Sequence, residues 1–236
     1  MQMRRRMFAL ALSAGLGLCA STTLADIKGT VSFEGDAPEP EAIDMAAVKE
    51  CAQQHPDGAY NDSIVVTDGK LANVVVSIKP ADGQALEGQA PGQPVKLDQK
   101  GCQYSPHVAA VMVGQPILVA NSDPFLHNVH SLAIDNPAFN FGQPNVDPGR
   151  PSDPLKQPEV FKVKCDVHPW MGAWVHVTDN PFFNVTGDDG SFTLRGLPPG
   201  QYTLTAWHET LGTKTAEVKV EEGKPATVDF TFDAPK

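Results

Sequence analysis

The stretch Cys165-Asp166-Val167-His168-Pro169-Trp170-Met171 sets the tightest limit on what this chain can build. It puts a thiol, an imidazole and a thioether within seven residues. Phe161, Val163 and Cys165 alternate with Lys162 and Lys164, so a strand delivers the cysteine to the apolar side of a sheet. Ala173 to Val177 forms the next strand. The segment His127-Asn128-Val129-His130, whose first residue stands 38 positions before Cys165, can bring a second imidazole to the same place. A fold that satisfies this pattern must hold two distant strand ends side by side.

The rest of the chain supplies short strands and turns. Ile27, Gly29, Val31 and Phe33 alternate with Lys28, Thr30 and Ser32, a half-buried strand. Residues 41–54 can form a short helix carrying Cys51. Ser63 to Thr67 and Leu71 to Lys79 flank Asp68-Gly69, a hairpin signature. Glycine and proline crowd residues 80–94, a linker or loop, and residues 135–158 read as a long irregular loop. Val108 to Val113 and Ile117 to Ala120 are apolar runs separated by Gly114. After Pro198-Pro199-Gly200, residues Tyr202, Leu204 and Ala206 alternate again, followed by Val218, Val220, Val228, Phe230 and Phe232. Many short strands with Gly/Pro turns predict an all-β chain of two packed β-sandwiches.

The N-terminus predicts export. Arg4 to Arg6 precede an apolar run from Met7 to Ala20, then Thr23-Leu24-Ala25, the layout of a signal peptide over 1–25. Cys19 follows Leu18, where lipidation wants a small residue. Losing three arginines would take the formal charge from −10 to −13. Such an acidic chain suits a basic protein partner and repels nucleic acid and anionic membrane surfaces. Three cysteines then remain in an oxidising compartment, where a free thiol is a liability. A metal on Cys165 and a Cys51–Cys102 disulfide would use all three.

Two imidazoles, a thiolate and a thioether are the donor set of a type 1 (blue) copper site. His127, Cys165, His168 and Met171 are therefore the expected ligands of one copper. Zinc rarely uses methionine. A four-ligand site leaves no open position for a substrate, and no carboxylate pair is placed for acid–base work, so an enzyme is not expected. Asn128, beside a ligand, can fix the loop and donate a hydrogen bond to the sulfur. His168-Pro169-Trp170, with Pro124 and Phe125, can form an exposed apolar ring through which electrons leave. His55, His107, His176 and His208 show no ligand pattern.

These motifs carry two resemblances. Val113-Gly114, Asn121, His127-Asn128-Val129-His130 and the C-x₂-H-x₂-M loop at Cys165 resemble a cupredoxin of the amicyanin or plastocyanin type. That resemblance implies His127, Cys165, His168 and Met171 as ligands and His130 as a non-ligand. The usual Gly-x-Tyr before the cysteine is replaced by Glu159-Val160-Phe161. Ile27-Lys28-Gly29-Thr30-Val31, Asn73-Val74-Val75-Val76, Asp188-Asp189-Gly190-Ser191-Phe192 and Leu197-Pro198-Pro199-Gly200-Gln201-Tyr202 resemble the carboxypeptidase regulatory-like, or transthyretin-like, sandwich. Their order implies a cupredoxin at 91–180 inserted into a host sandwich made of 26–90 and 181–236. The arrangement is similar to exported bacterial proteins of the methylamine-utilisation type. It implies a periplasmic carrier of single electrons, with a dehydrogenase donor and a c-type cytochrome acceptor. A copper-delivery protein without a redox partner is the alternative, and a surface adhesion module a third reading. The residues leave the oligomeric state open.

Overall fold

The computed structural model describes residues 23–235. Cys19 and nearly all of the expected signal segment lie outside them. The described chain is all-β, with one α-helix, Lys49–Gln54.

Two layers build the first sandwich. In one, Ala25–Glu34 pairs antiparallel with Ser191–Leu197 and parallel with Phe230–Asp233, so strands from both ends of the sequence share one sheet. In the other, Val75–Pro80 lies between Phe183–Val185 and Gly200–His208, and Gly212–Val220 completes the row. The alternating residues meet between the layers: Ile27, Val31, Phe33, Ile78, Leu194, Leu204 and Phe232 are all buried. Burying each such side chain contributes about 1.5–3 kcal/mol. Gly29 is needed here, since a Cβ on it would fall 1.7 Å from the Val228 carbonyl oxygen.

The chain leaves this sandwich at Pro80 and returns at Phe183, on the adjoining strand, where Phe183 stands opposite Ser77. Between those points it builds a second sandwich. One sheet runs in the order Asp147–Pro151, Ile117–Asn121, Val95–Lys100, Gln103–Ser105. The facing sheet runs Asn140–Gln143, His127–Ser131, Glu159–Lys164, Gly172–Thr178, Val108–Met112. Leu97, Ile117, Val119, Val129, Val163 and Val175 fill the space between them. A small cluster of Val75, Val108 and Ala110 joins the two sandwiches, capped by Trp174 and Trp207 with ring centroids 5.7 Å apart.

Three expectations change. The expected strand from Leu71 to Lys79 breaks at Asn73, whose φ of 61° turns the chain from one sheet to the other. Only Val66–Thr67 and Lys70–Leu71 form the hairpin. The region 135–158 is not irregular throughout, because Asn140–Gln143 and Asp147–Pro151 are strands. Each lies at a sheet edge, where proline and polar side chains are tolerated. Finally, the helix is shorter than expected, and the segment 42–60 packs Met45, Cys51 and Ala59 into the core of the second sandwich, not the first. Its ends are clipped together by Ala42–Ile43 pairing with Ala59–Tyr60.

Candidate metal centre

The two strands that carry the donors separate just where the donors sit. His127–Ser131 and Glu159–Lys164 are paired at His130–Lys164 and Ser131–Val163, and the pairing stops there. Beyond it, the Tyr104 hydroxyl fills the gap, 2.6 Å from the Asn128 carbonyl and 3.0 Å from that of Lys164. Burial, with the Cys165 and Asp166 charges nearby, pushes that phenol well above its ordinary range.

The loop 165–171 closes on itself. The Met171 amide donates to the His168 carbonyl at 3.0 Å, and the Cys165 amide donates to the Met171 carbonyl at 3.3 Å. Two amides, of Asn128 and His168, each donate to Cys165 Sγ at 3.4 Å. A thiolate would be stabilised by both, and the Asn128 bond is the one expected from the sequence, made by its backbone. The Asn128 side chain joins the two segments, accepting from the Asp166 amide at 3.1 Å and donating to Asn140 at 2.8 Å.

Three donors converge. The Nδ1 atoms of His127 and His168 are 3.0 Å apart, and Cys165 Sγ lies 3.7 Å from His168 Nδ1. All three residues are buried. Met171, also buried, ends the same loop. His130 stands apart, paired with Asp166 at 3.0 Å. Hydrogen bonds from Lys164 and His130, with a smaller contribution from their charges, hold the exposed Asp166 carboxyl down at about 2.

The donor chemistry suits copper. Two imidazole nitrogens that face each other and a thiol give a soft, mixed N/S set in a cage sealed from water. Burial lowers the basicity of His127 and His168, which keeps their lone pairs available for a metal at neutral pH. For His127 this acts against its Asp123 partner, and for His168 the His127 charge adds to it while Asp123 opposes it.

One residue and the position of one expected bond are not legible in the sequence. Asp123, four residues before His127, is buried and 2.8 Å from His127 Nε2. Burial would raise its carboxyl, but amides of Cys102 and Gly101 and the His127 ring together hold it low. The bond is the Cys51–Cys102 disulfide. Its pairing was expected, but its place was not: both sulfurs lie within 4.8 Å of a His168 ring nitrogen and of each other. The exposed-edge expectation for His168 is therefore wrong, because the helix and its disulfide cover the ring and leave it 2% exposed. Trp170 is half-buried too, with its indole N–H donating to the Cys102 carbonyl at 3.0 Å. Phe125 does lie close by, its ring 5.2 Å from that of His127.

The remaining histidines are placed structurally. His55 Nε2 is 2.6 Å from the Gly101 carbonyl, and His107 pairs with Glu209. The His176 ring packs edge-on against Trp207, and His208 Nδ1 accepts from the Thr210 and Leu211 amides.

Comparison with known proteins gives two likenesses. The model of the carboxypeptidase regulatory-like domain matches residues 168–233. No curated protein matches the chain. Among solved structures, the chain is similar to a copper-containing nitrite reductase from Thermus scotoductus, at 21% identity and TM-score 0.32, over 43% of this chain and 25% of that one. It thus spans about a quarter of that enzyme. A purple cupredoxin from Nitrosopumilus maritimus is 22% identical, with TM-score 0.29, over 36% of this chain and 99% of its own. Amicyanin from Paracoccus versutus is 15% identical, with TM-score 0.31, over 43% and 97%. The regulatory-like resemblance drawn from the motifs thus has a counterpart in the family match at the C-terminal end. The regulatory-like match begins inside the loop 165–171, so its first residues belong to the second sandwich.

Proposed function

We propose that the chain is an exported type 1 copper protein that carries single electrons between redox proteins in the periplasm. The observation that carries this reading is the buried convergence of His127 Nδ1, His168 Nδ1 and Cys165 Sγ, with Met171 closing the same loop. Bound copper would supply a one-electron couple. Each residue has a part in that. His127 and His168 offer neutral imidazoles, and Cys165 gives up its proton to become the thiolate. Met171 stands as the weak fourth ligand. Amide donors on the sulfur and the Tyr104 brace hold these groups rigid, so that little rearrangement accompanies a change of oxidation state. The closed cage excludes water and leaves no position for a substrate, which supports a carrier over an enzyme. We assign residues 91–180 to the copper unit and 26–90 with 181–236 to the host sandwich, apart from 42–60, which serves as a lid on the copper unit. The acidic charge suits a basic partner, and the resemblance suggests a dehydrogenase donor and a c-type cytochrome acceptor.

A delivery protein is the second reading, and the covered His168 ring favours it, since the expected exit edge is closed. Protein-film voltammetry of the copper-loaded chain separates the two. A carrier gives a reversible one-electron wave and keeps its metal through many cycles. A delivery protein loses the wave as metal passes to a chelator or acceptor on reduction.

A further inference from the structure

His127 reaches the centre through Nδ1, and Nε2 points the other way into a built recess. There Asp123 Oδ2 lies 2.8 Å from Nε2. The same carboxylate accepts the Gly101 amide on Oδ1 at 2.9 Å and the Cys102 amide on Oδ2 at 2.9 Å. Both donors sit in a turn with left-handed backbone, φ 63° at Gly101 and 56° at Cys102, which aims two successive N–H groups at one carboxylate. The Asp123 amide is itself held by the Asn121 side chain at 3.0 Å, and Asn121 Nδ2 donates to the carbonyls of Phe125, Gln143 and Asn145. Asp123 and His127 are respectively 2% and 0% exposed, so water does not dilute the contact.

Nothing in this recess offers Nε2 a proton, and a carboxylate can only accept. His127 must therefore carry its hydrogen on Nε2, with the Nδ1 lone pair free. We propose that Asp123 is a positioning residue of the metal centre, a proposal that rests on the copper reading above. It fixes the tautomer and orientation of His127, and its negative charge behind the ring favours Cu(II) over Cu(I). Carboxylate–histidine–metal relays of this kind raise the donor strength of the ring, and removing the carboxylate typically lowers metal affinity 10–100-fold. The turn that holds Asp123 also contains one half of the disulfide, so the brace runs from the lid to the His127 ring.

The test uses full-length chain and Asp123→Asn, which keeps one of the two acceptor oxygens and the side-chain shape but loses the charge. Competition titrations give Cu(II) and Cu(I) affinities, and voltammetry gives the potential. The variant should stay coloured, lose at least tenfold more affinity for Cu(II) than for Cu(I), and show a potential raised by about 59 mV per tenfold difference. Equal losses in both oxidation states, with an unmoved potential, would make Asp123 a purely structural brace and overturn the proposal. Should the variant fail to fold, nitrogen-15 NMR of the wild-type ring decides it in metal-free protein. A slowly exchanging Nε2 proton on His127 supports the proposal, and a proton on Nδ1 overturns it. A wild-type chain that takes up no copper would sink the copper reading instead, which the metal-free NMR result tells apart.

Discussion

Removing the Cys51–Cys102 bond should test how the lid is held. The perturbation is Cys51→Ala with Cys102→Ala, and both positions are fully buried, so alanine leaves no unpaired polar group. The bond spans 51 residues. On the chain-entropy model, freeing a loop of that length removes about 4 kcal/mol of stability. Besides the bond, the lid is held by a six-residue helix, a two-residue strand pair, the buried Met45 and Ala59 with Ile43, Val48 and Ala52 beside them, and polar contacts of His55 with the Gly101 carbonyl and of Gln103 with the Tyr60 carbonyl. With a urea slope of about 2–3 kcal/mol/M, the unfolding midpoint should drop by about 1.3–2 M. The assay is urea unfolding of metal-free wild type and variant, followed by tryptophan fluorescence and circular dichroism. Leaving the metal out keeps ligand linkage from masking the difference. His168 should also gain solvent access, read as faster exchange of its ring proton. A midpoint shift below about 0.3 M with unchanged slope, and an unchanged His168, would show that packing alone holds the lid and that the bond adds nothing.

Other outcomes follow from single residues. Burial depresses the pKa of His208 from 6.5 to about 4, and that of His176 likewise to about 4. The folded state thus refuses protons that the unfolded chain accepts, so stability is full above pH 6.5 and falls as the pH drops towards 4, by up to about 3 kcal/mol for each. His208→Asn, which keeps an acceptor for the Thr210 and Leu211 amides, should flatten this acid limb in a pH series of thermal melts; an unchanged limb would refute the assignment. Trp170→Ala should lose the bond to the Cys102 carbonyl and apolar contact, at roughly 2 kcal/mol in urea unfolding. If stability is unchanged while the rate to a redox partner falls, Trp170 serves docking, as the sequence alone suggested, rather than the lid.

The parts that were legible in the sequence are the local ones. Cys165, His168 and Met171 fall within one turn of chain, and the alternation of Phe161 and Val163 shows which way the cysteine faces. The host strands are legible for the same reason, since Ile27 to Phe33 and Tyr202 to Ala206 write their burial as a period of two. Asp123 was not legible. It precedes His127 by four residues in a turn, where no period links the two side chains, and its partners at Gly101 and Cys102 come from another strand end. Nor was the lid. Segment 42–60 is adjacent in sequence to the host strand Ala25–Glu34, and its helix is too short to show an apolar face. The edge strands at 140–143 and 147–151 hid behind proline, asparagine and aspartate, because an edge buries little and tolerates such residues.

The central claim is that His127, Cys165 and His168 bind one copper through a thiolate. The most direct measurement is titration of the metal-free, disulfide-intact chain with Cu(II), followed by visible absorption, beside Cys165→Ser treated identically. An intense visible band that saturates at one copper per chain, and is lost in Cys165→Ser, is the expected result. A wild-type chain that remains colourless at saturation, or a serine variant that keeps the band, would contradict it.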